Sequence, residues 1–318
     1  MMLSALLLLL SLTAQASATP ASPTTSMIQT ETHYRIYDAT GKAASMEEVL
    51  AALDKAEVVC VGELHDDPAG HAFEADLLKR ALEHNGDGNA KTKKRPLTLS
   101  LEMFERDAQV VLDEYLHGLI AERHFLLSSR PWNNYQTDYR PLVEFAREKN
   151  LSVIAANAPA RYVNRVARLG PASLKDLTTE ARGWLPPLPY ESASPAYAAK
   201  FTQLMTGPQM TGGAQGPQSP HGNTYLLDAQ SLRDATMAFA IAQQLKRQPE
   251  SLVLQINGNF HSEERLGVPE QLQHYRPKTR TLVITIVNDK SYPAFDAARF
   301  GKLGDFVILT DPSLPRSF

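Results

Sequence analysis

Six short apolar runs, at 57–61, 97–101, 151–156, 252–256, 282–287 and 306–309, constrain this chain more than anything else in it. Most are continuous rather than alternating, as in strands buried on both faces. Segments of helical periodicity lie between them. One, at 45–54, opens with Ser45 and Glu48 at capping-box spacing. Others run over 73–82, 107–120 and 140–149, and in 228–247 Leu232, Ala235, Phe239, Ala242 and Leu245 form one stripe. This alternation predicts an α/β fold with a mostly parallel central sheet flanked by helices. Two segments break it. Residues 85–95 read as a solvated basic loop, and 158–227 as an inserted helical segment whose Gly/Pro/Gln-rich stretch, 207–223, is a candidate lid or partner surface.

The N-terminus carries a different signal. Leu3 and the leucines at 6–10 form a short apolar core, and Ala16-Ser17-Ala18 fits small-x-small cleavage, although the preceding residues lack Lys and Arg. Residues 1–18 are therefore expected to be a signal peptide and 19–32 a flexible leader. One α/β domain is expected at 33–311, with a tail at 312–318. The expected product is exported to the periplasm. The lone cysteine, Cys60, sits inside the first apolar run, so neither a lipid anchor at the cleavage site nor a cysteine-based zinc site is expected. A formal net charge of −3 argues against a broadly basic nucleic-acid binder.

In open α/β sheets, ligands bind beyond the carboxyl ends of the strands. Four predicted strands here end in ligand-capable groups. The first runs into Gly62-Glu63-Leu64-His65, followed by Asp66, Asp67 and His71; the second ends in Glu102, the third in Asn157, and the fourth in Asn257-Gly258-Asn259-Phe260-His261. Gly62 and Gly258 suit a sharp turn off a strand and a close backbone approach to a ligand. Each residue also has a plainer reading. His65 and the aspartates suit a helix N-terminus, His71 a helix surface, and Glu102 a pairing with Arg106 or Arg140. Trp132, Tyr135, Tyr139 and Arg140 suit either a flat ligand with acidic substituents or an aromatic core corner. In the helix predicted over 228–247, Gln230, Asp234 and Met237 share a face that either points at the same cleft or meets a neighbouring helix.

Taken in order, these motifs resemble the ChaN family of haem-binding uptake proteins in the Tiki superfamily. They are Val61-Gly62-Glu63-Leu64-His65-Asp66 with His71, Leu101-Glu102-Met103-Phe104-Glu105, Tyr139-Arg140-Pro141, Ala229-Gln230 with Asp234 and Met237-Ala238, and Asn257-Gly258-Asn259-Phe260-His261 followed by Gly267-Val268-Pro269. The resemblance spans roughly residues 33–287. It implies an α/β core with a helical part and a role in bacterial haem or iron acquisition, with stacked haems between two protomers and tyrosine ligation. Related Tiki, TraB and erythromycin-esterase-like proteins imply hydrolysis instead. Two departures matter. The processing site lacks the lipoprotein cysteine, and Leu266 stands where family members often carry an aromatic residue.

Two functional expectations follow from the resemblance. In the first, Tyr139 or Tyr135 ligates haem iron, His65 or His261 assists, Arg140 or Arg161 meets the propionates, and Trp132 covers the porphyrin. Homodimerisation on haem, and an outer-membrane haem receptor or periplasmic carrier as partner, belong to that reading. In the second, Glu63, His65, Glu102 and His261 hold one divalent ion such as zinc or manganese, and Glu63 or Glu102 acts as general base in hydrolysis.

Overall fold

The computed structural model describes residues 33–86, 95–206 and 224–318. The expected signal peptide and leader, the basic stretch at 87–94 and the loop at 207–223 lie outside the described residues.

All six apolar runs are strands, here β3 (Val58–Glu63), β4 (Leu97–Glu105), β5 (Ser152–Asn157), β6 (Leu252–Gly258), β7 (Thr281–Asn288) and β8 (Phe306–Thr310). They pair in parallel in the order β8-β7-β3-β6-β4-β5. Two further strands, β1 (Tyr34–Asp38) and β2 (Ala43–Ala44), extend the sheet antiparallel beyond β8. Sequence reading missed both, because a short edge strand lacks the doubly buried pattern. The result is a mixed α/β fold with a mostly parallel sheet between helices.

Strand alternation fixes what faces each side. Val59 and Val61 of β3 and Leu99 and Leu101 of β4 point to one side, where α1 (Met46–Leu53), α2 (Pro68–Gly86) and α5 (Arg140–Glu148) bury Val49, Phe73, Leu77, Leu142 and Val143. Val58 and Cys60 point to the other, against Met237, Ala238 and Ile241 of α9 (Leu226–Arg247) and Leu272 of α10 (Val268–Tyr275). Cys60 is a buried core thiol, and burial pushes it up to about 12. The capping box at Ser45 and Glu48 is formed.

Between β4 and α5 in chain order come α3 (Gln109–Leu116) and α4 (Glu122–Ser129), then a π-helical turn, Tyr135–Tyr139, that leads into α5. After β5, the described part of the expected insertion forms α6 (Ala160–Leu169), α7 (Thr179–Arg182) and α8 (Pro195–Thr206). A short α11 (Ala297–Phe300) precedes β8. Among the described residues, no helix is long and apolar enough to cross a membrane.

Candidate functional site

The polar strand ends do gather at one edge of the sheet, but as two clusters on opposite faces. Glu63 shares the parity of Val59 and Val61, so it turns toward α2 and the π-turn. Glu102 has the opposite parity from Leu101 and turns toward α9. A register shift in the β4–β5 pairing between Leu101 and Glu105 accompanies this, just past the last pair of β4 with β6. Such irregularities commonly re-aim a side chain near a site.

On the α9 side, Glu102 accepts the Gly258 N–H at 2.7 Å and meets His261 Nε2 at 3.2 Å. His261 Nδ1 lies 2.6 Å from Asp234, whose other oxygen accepts the Tyr197 hydroxyl at 2.5 Å. Gln230 reaches the His261 ring at 3.2 Å, while Met237 lies deeper and accepts from Gln255. Burial opposes charge on His261, but Glu102 and Asp234 outweigh it and raise its pKa to about 10. Burial also opposes charge on Glu102; His261 and the Gly258 N–H nevertheless hold it far below the usual carboxylate range. This is a closed ion-pair network. At the ends of β5 and β6 the Asn157 and Asn257 side chains are buried, each with a carboxamide oxygen lacking a hydrogen-bond partner among the described residues.

On the α2 side, Glu63 Oε1 accepts from the Tyr139 hydroxyl and lies 2.7 Å from His65 Nδ1. His71 is not a surface residue. It is buried, with Nδ1 3.0 Å from Glu74 and 3.5 Å from Glu63 Oε2, and Nε2 3.1 Å from the His65 carbonyl. Asp138 lies 3.7 Å from the same Nε2, and Asn134 bonds both Asp138 and the His65 carbonyl at 2.7 Å. Burial and the charge on Glu63 raise Glu74 well above its ordinary value. Burial opposes charge on His71, but Glu74 and Glu63 raise it to about 10.

His65 rides over the sheet edge between the clusters. Its ring packs so closely on Gly258 that a Cβ there would sit 2.9 Å from Cε1 and Nε2. Its side chain is 40% exposed, and its ring stands edge-on to Trp132 at 4.5 Å. His65, Pro131, Trp132, Asn133, Asn134 and Phe318 line a cleft of about 390 Å³. Phe318 belongs to the tail, which is anchored by Ser317 on Asp138 and Asp66 and by Arg316 on Asp66. A tail without periodicity gives no sequence signal for such a contact.

The structure corrects several expectations about single residues. Tyr139 is 1% exposed with its hydroxyl on Glu63, and burial followed by the charges of Glu63 and Glu74 pushes its phenol far above the ordinary value. Tyr135 is buried against Phe104 and Phe125. Arg140 is committed to Glu122 at 2.6 Å and Arg161 to Asp107 at 2.6 Å. Arg106 bonds the Ala155 carbonyl, so neither Arg106 nor Arg140 is the partner of Glu102. The set Glu63, His65, Glu102 and His261 is divided into two pairs, Glu63 with His65 and Glu102 with His261. Among the described residues, the ligand atoms that do lie within 4.8 Å of one another belong to Glu63, His71 and Glu74.

A parallel-sheet protein with histidine–carboxylate pairs at its strand ends is thereby defined. The family model described as haem-binding uptake, Tiki superfamily, ChaN matches residues 49–272, and the chain belongs to this family. Among solved structures it is similar to ChaN of Campylobacter jejuni, described for cofacial haem binding: TM-score 0.62 and 16% identity over 88% of this chain and 97% of that one. An erythromycin esterase, EreC, in its open conformation matches with a TM-score of 0.44 and 15% identity over 88% of this chain and 83% of that one. The chloroplast protein RETICULATA-RELATED 5 of Arabidopsis thaliana is 23% identical over 274 residues, covering 81% of this chain. The chain spans only 36% of that plant protein's length.

Proposed function

We propose that this protein binds haem at the cleft beside His65 and Trp132 and serves haem or iron acquisition as an exported, periplasmic protein. One observation carries the reading. His65 is the half-exposed member of the site, its Nδ1 is held by Glu63, and its Nε2 has no hydrogen-bond partner among the described residues. A histidine whose second nitrogen is fixed by a carboxylate is the usual form of a metal-ligating imidazole.

The donor set fits haem through an imidazole and not through a tyrosinate. Bound haem would supply an iron able to take His65 Nε2 as axial ligand. Trp132, Pro131 and Phe318 offer apolar contact to a porphyrin. A cleft of about 390 Å³ takes in only part of a porphyrin. Cofacial haem binding in the Campylobacter protein supports a second copy covering the remainder. A haem receptor or carrier is the expected partner.

The test is a haemin titration followed at the Soret band. Saturable binding is expected, weakened at least about tenfold in His65→Ala, a loss of about 1.4 kcal/mol. Tyr139→Phe and Tyr135→Phe are expected to leave the band position unchanged. Unaltered binding by His65→Ala together with loss in Tyr139→Phe would overturn the ligand assignment.

A second reading, hydrolysis, draws on the same pairs. His65 backed by Glu63 has the form of a general base, and Glu102 lies close enough to raise the His65 pKa along with Glu63, against the effect of burial. Ester or peptide turnover that vanishes in His65→Ala would favour it.

A further inference from the structure

The buried cluster behind His65 crowds three carboxyl groups around one imidazole. Glu63, Glu74 and Asp138 surround the single imidazole of His71, all of them buried. Two of the carboxylate oxygens, Glu63 Oε2 and Glu74 Oε1, are buried without any hydrogen-bond partner. A buried oxygen without a partner is costly, and more so when ionised. Glu63 Oε2 is directed at His71 Nδ1, 3.5 Å away.

The tautomer of His71 sharpens the point. Nε2 faces the His65 carbonyl, an obligatory acceptor, so Nε2 carries the proton. Nδ1 then faces both carboxyl groups, and the raised His71 and Glu74 keep protons in that space; without those protons three electron-rich groups would face one another. A cation among them removes the conflict. The second nitrogen on a backbone carbonyl is also how a metal-ligating histidine is held.

We propose that Glu63, His71 and Glu74 bind one divalent first-row metal ion of the zinc, manganese or cobalt class, on the α2 side of the sheet. One ligand atom from each already lies within 4.8 Å of the others. His71 and Glu74, three residues apart on α2, present their side chains to the same place, and Glu63 meets them from the end of β3. Imidazole and carboxylate donors without thiolate suit these ions. The ion would clamp Glu63 through Oε2 while Oε1 holds His65 and Tyr139, so it would fix the orientation of His65 without touching a ligand in the cleft. The inference stands apart from the haem reading, which concerns the exposed side of His65.

The full chain, purified haem-free and without chelator, is analysed for metals, then stripped and titrated with cobalt(II) while its visible d–d bands and melting temperature are followed. Expected are roughly one ion per chain, bands saturating near one equivalent and a higher melting temperature on loading. Glu74→Gln and His71→Asn are expected to weaken cobalt binding about 10–100-fold, and Glu102→Gln to leave it intact. Absence of saturable binding by the folded wild type, or binding that survives in both α2 variants, overturns the proposal. Should those variants fail to fold, ¹⁵N-histidine spectra of the wild type decide. A zinc-induced shift at His71 Nδ1 supports the site, and a ring unaffected by excess zinc rejects it. Haem is read at the Soret band and cobalt at its d–d bands, so either assignment can fail alone.

Discussion

Glu63, the last residue of β3, and Glu102, in β4 just past its last pair with β6, lie toward the same edge of the sheet, yet they turn to opposite sides of it. Each holds a different histidine, His65 on one side and His261 on the other. Removing one carboxylate should therefore give a different phenotype from removing the other. Glu63→Gln frees His65 Nδ1 from its anionic partner and is expected to weaken haem binding about tenfold. Glu102→Gln leaves a buried imidazolium short of a counter-charge and should cost about 3–5 kcal/mol of stability. Haemin titration and urea unfolding of the two variants check this; equal loss of haem affinity in both would contradict the separation.

The His261 network also sets a pH window for stability. His261 is raised in the folded state from 6.5 to about 10, so its contribution is full below pH 6.5 and is lost as pH rises through 10. Glu102 is depressed from 4.5, so its contribution is present above pH 4.5 and is lost on acidification through its lowered folded value. Maximal stabilisation by the pair is thus expected between about pH 4.5 and 6.5, with decline toward pH 10. Calorimetric melting temperatures across that range should show a shallower alkaline decline in His261→Gln. An unchanged slope would mean that His261 is neutral in the folded protein.

The fold was largely legible in the sequence, and the site only in part. Strands buried on both faces must be continuously apolar, which is why β3 to β8 stood out, whereas β1 depends on pairing with β8 more than 260 residues away. Parity along β3 placed Glu63 with Val59 and Val61, but no single strand reports which side its neighbours' residues take. The division of Glu63 from Glu102 was therefore hidden. Tyr139 was equally hidden: its depth comes from the π-turn at Tyr135–Tyr139 and from the hydroxyl bond to Glu63, and both are tertiary features. His71 read as a possible surface residue because the carboxylates that bury it arrive from other elements.

Two glycines should respond in opposite ways to alanine. At Gly258 the added methyl crowds the His65 ring, at 2.9 Å, with Glu102 Oε2 at an ordinary 3.7 Å, and a half-exposed side chain can move. Gly258→Ala should keep most of its stability while displacing His65 and weakening haem binding. At Gly267, φ is +65° and the methyl would lie 2.5 Å from the His261 carbonyl oxygen, which is backbone and cannot yield. Gly267→Ala should cost about 2 kcal/mol or more. Unfolding and titration curves for both variants check the contrast. A strongly destabilised Gly258→Ala would show that the His65 ring is locked in place.

The tail supplies the last prediction. Phe318 is 73% exposed, yet it lines the cleft with Trp132 and His65, and Ser317 and Arg316 hold it there through Asp66 and Asp138. An exposed aromatic side chain adds little to the fold, so Phe318→Ala should change stability by less than about 0.5 kcal/mol. If the porphyrin lies against this wall, the same substitution removes apolar contact that a ligand would bury, and haem affinity should fall several-fold. Trp132→Ala, which removes the larger wall and the edge-on support of His65, should weaken binding more. Tighter binding after loss of Phe318 would instead identify the tail as an occupant that haem must displace.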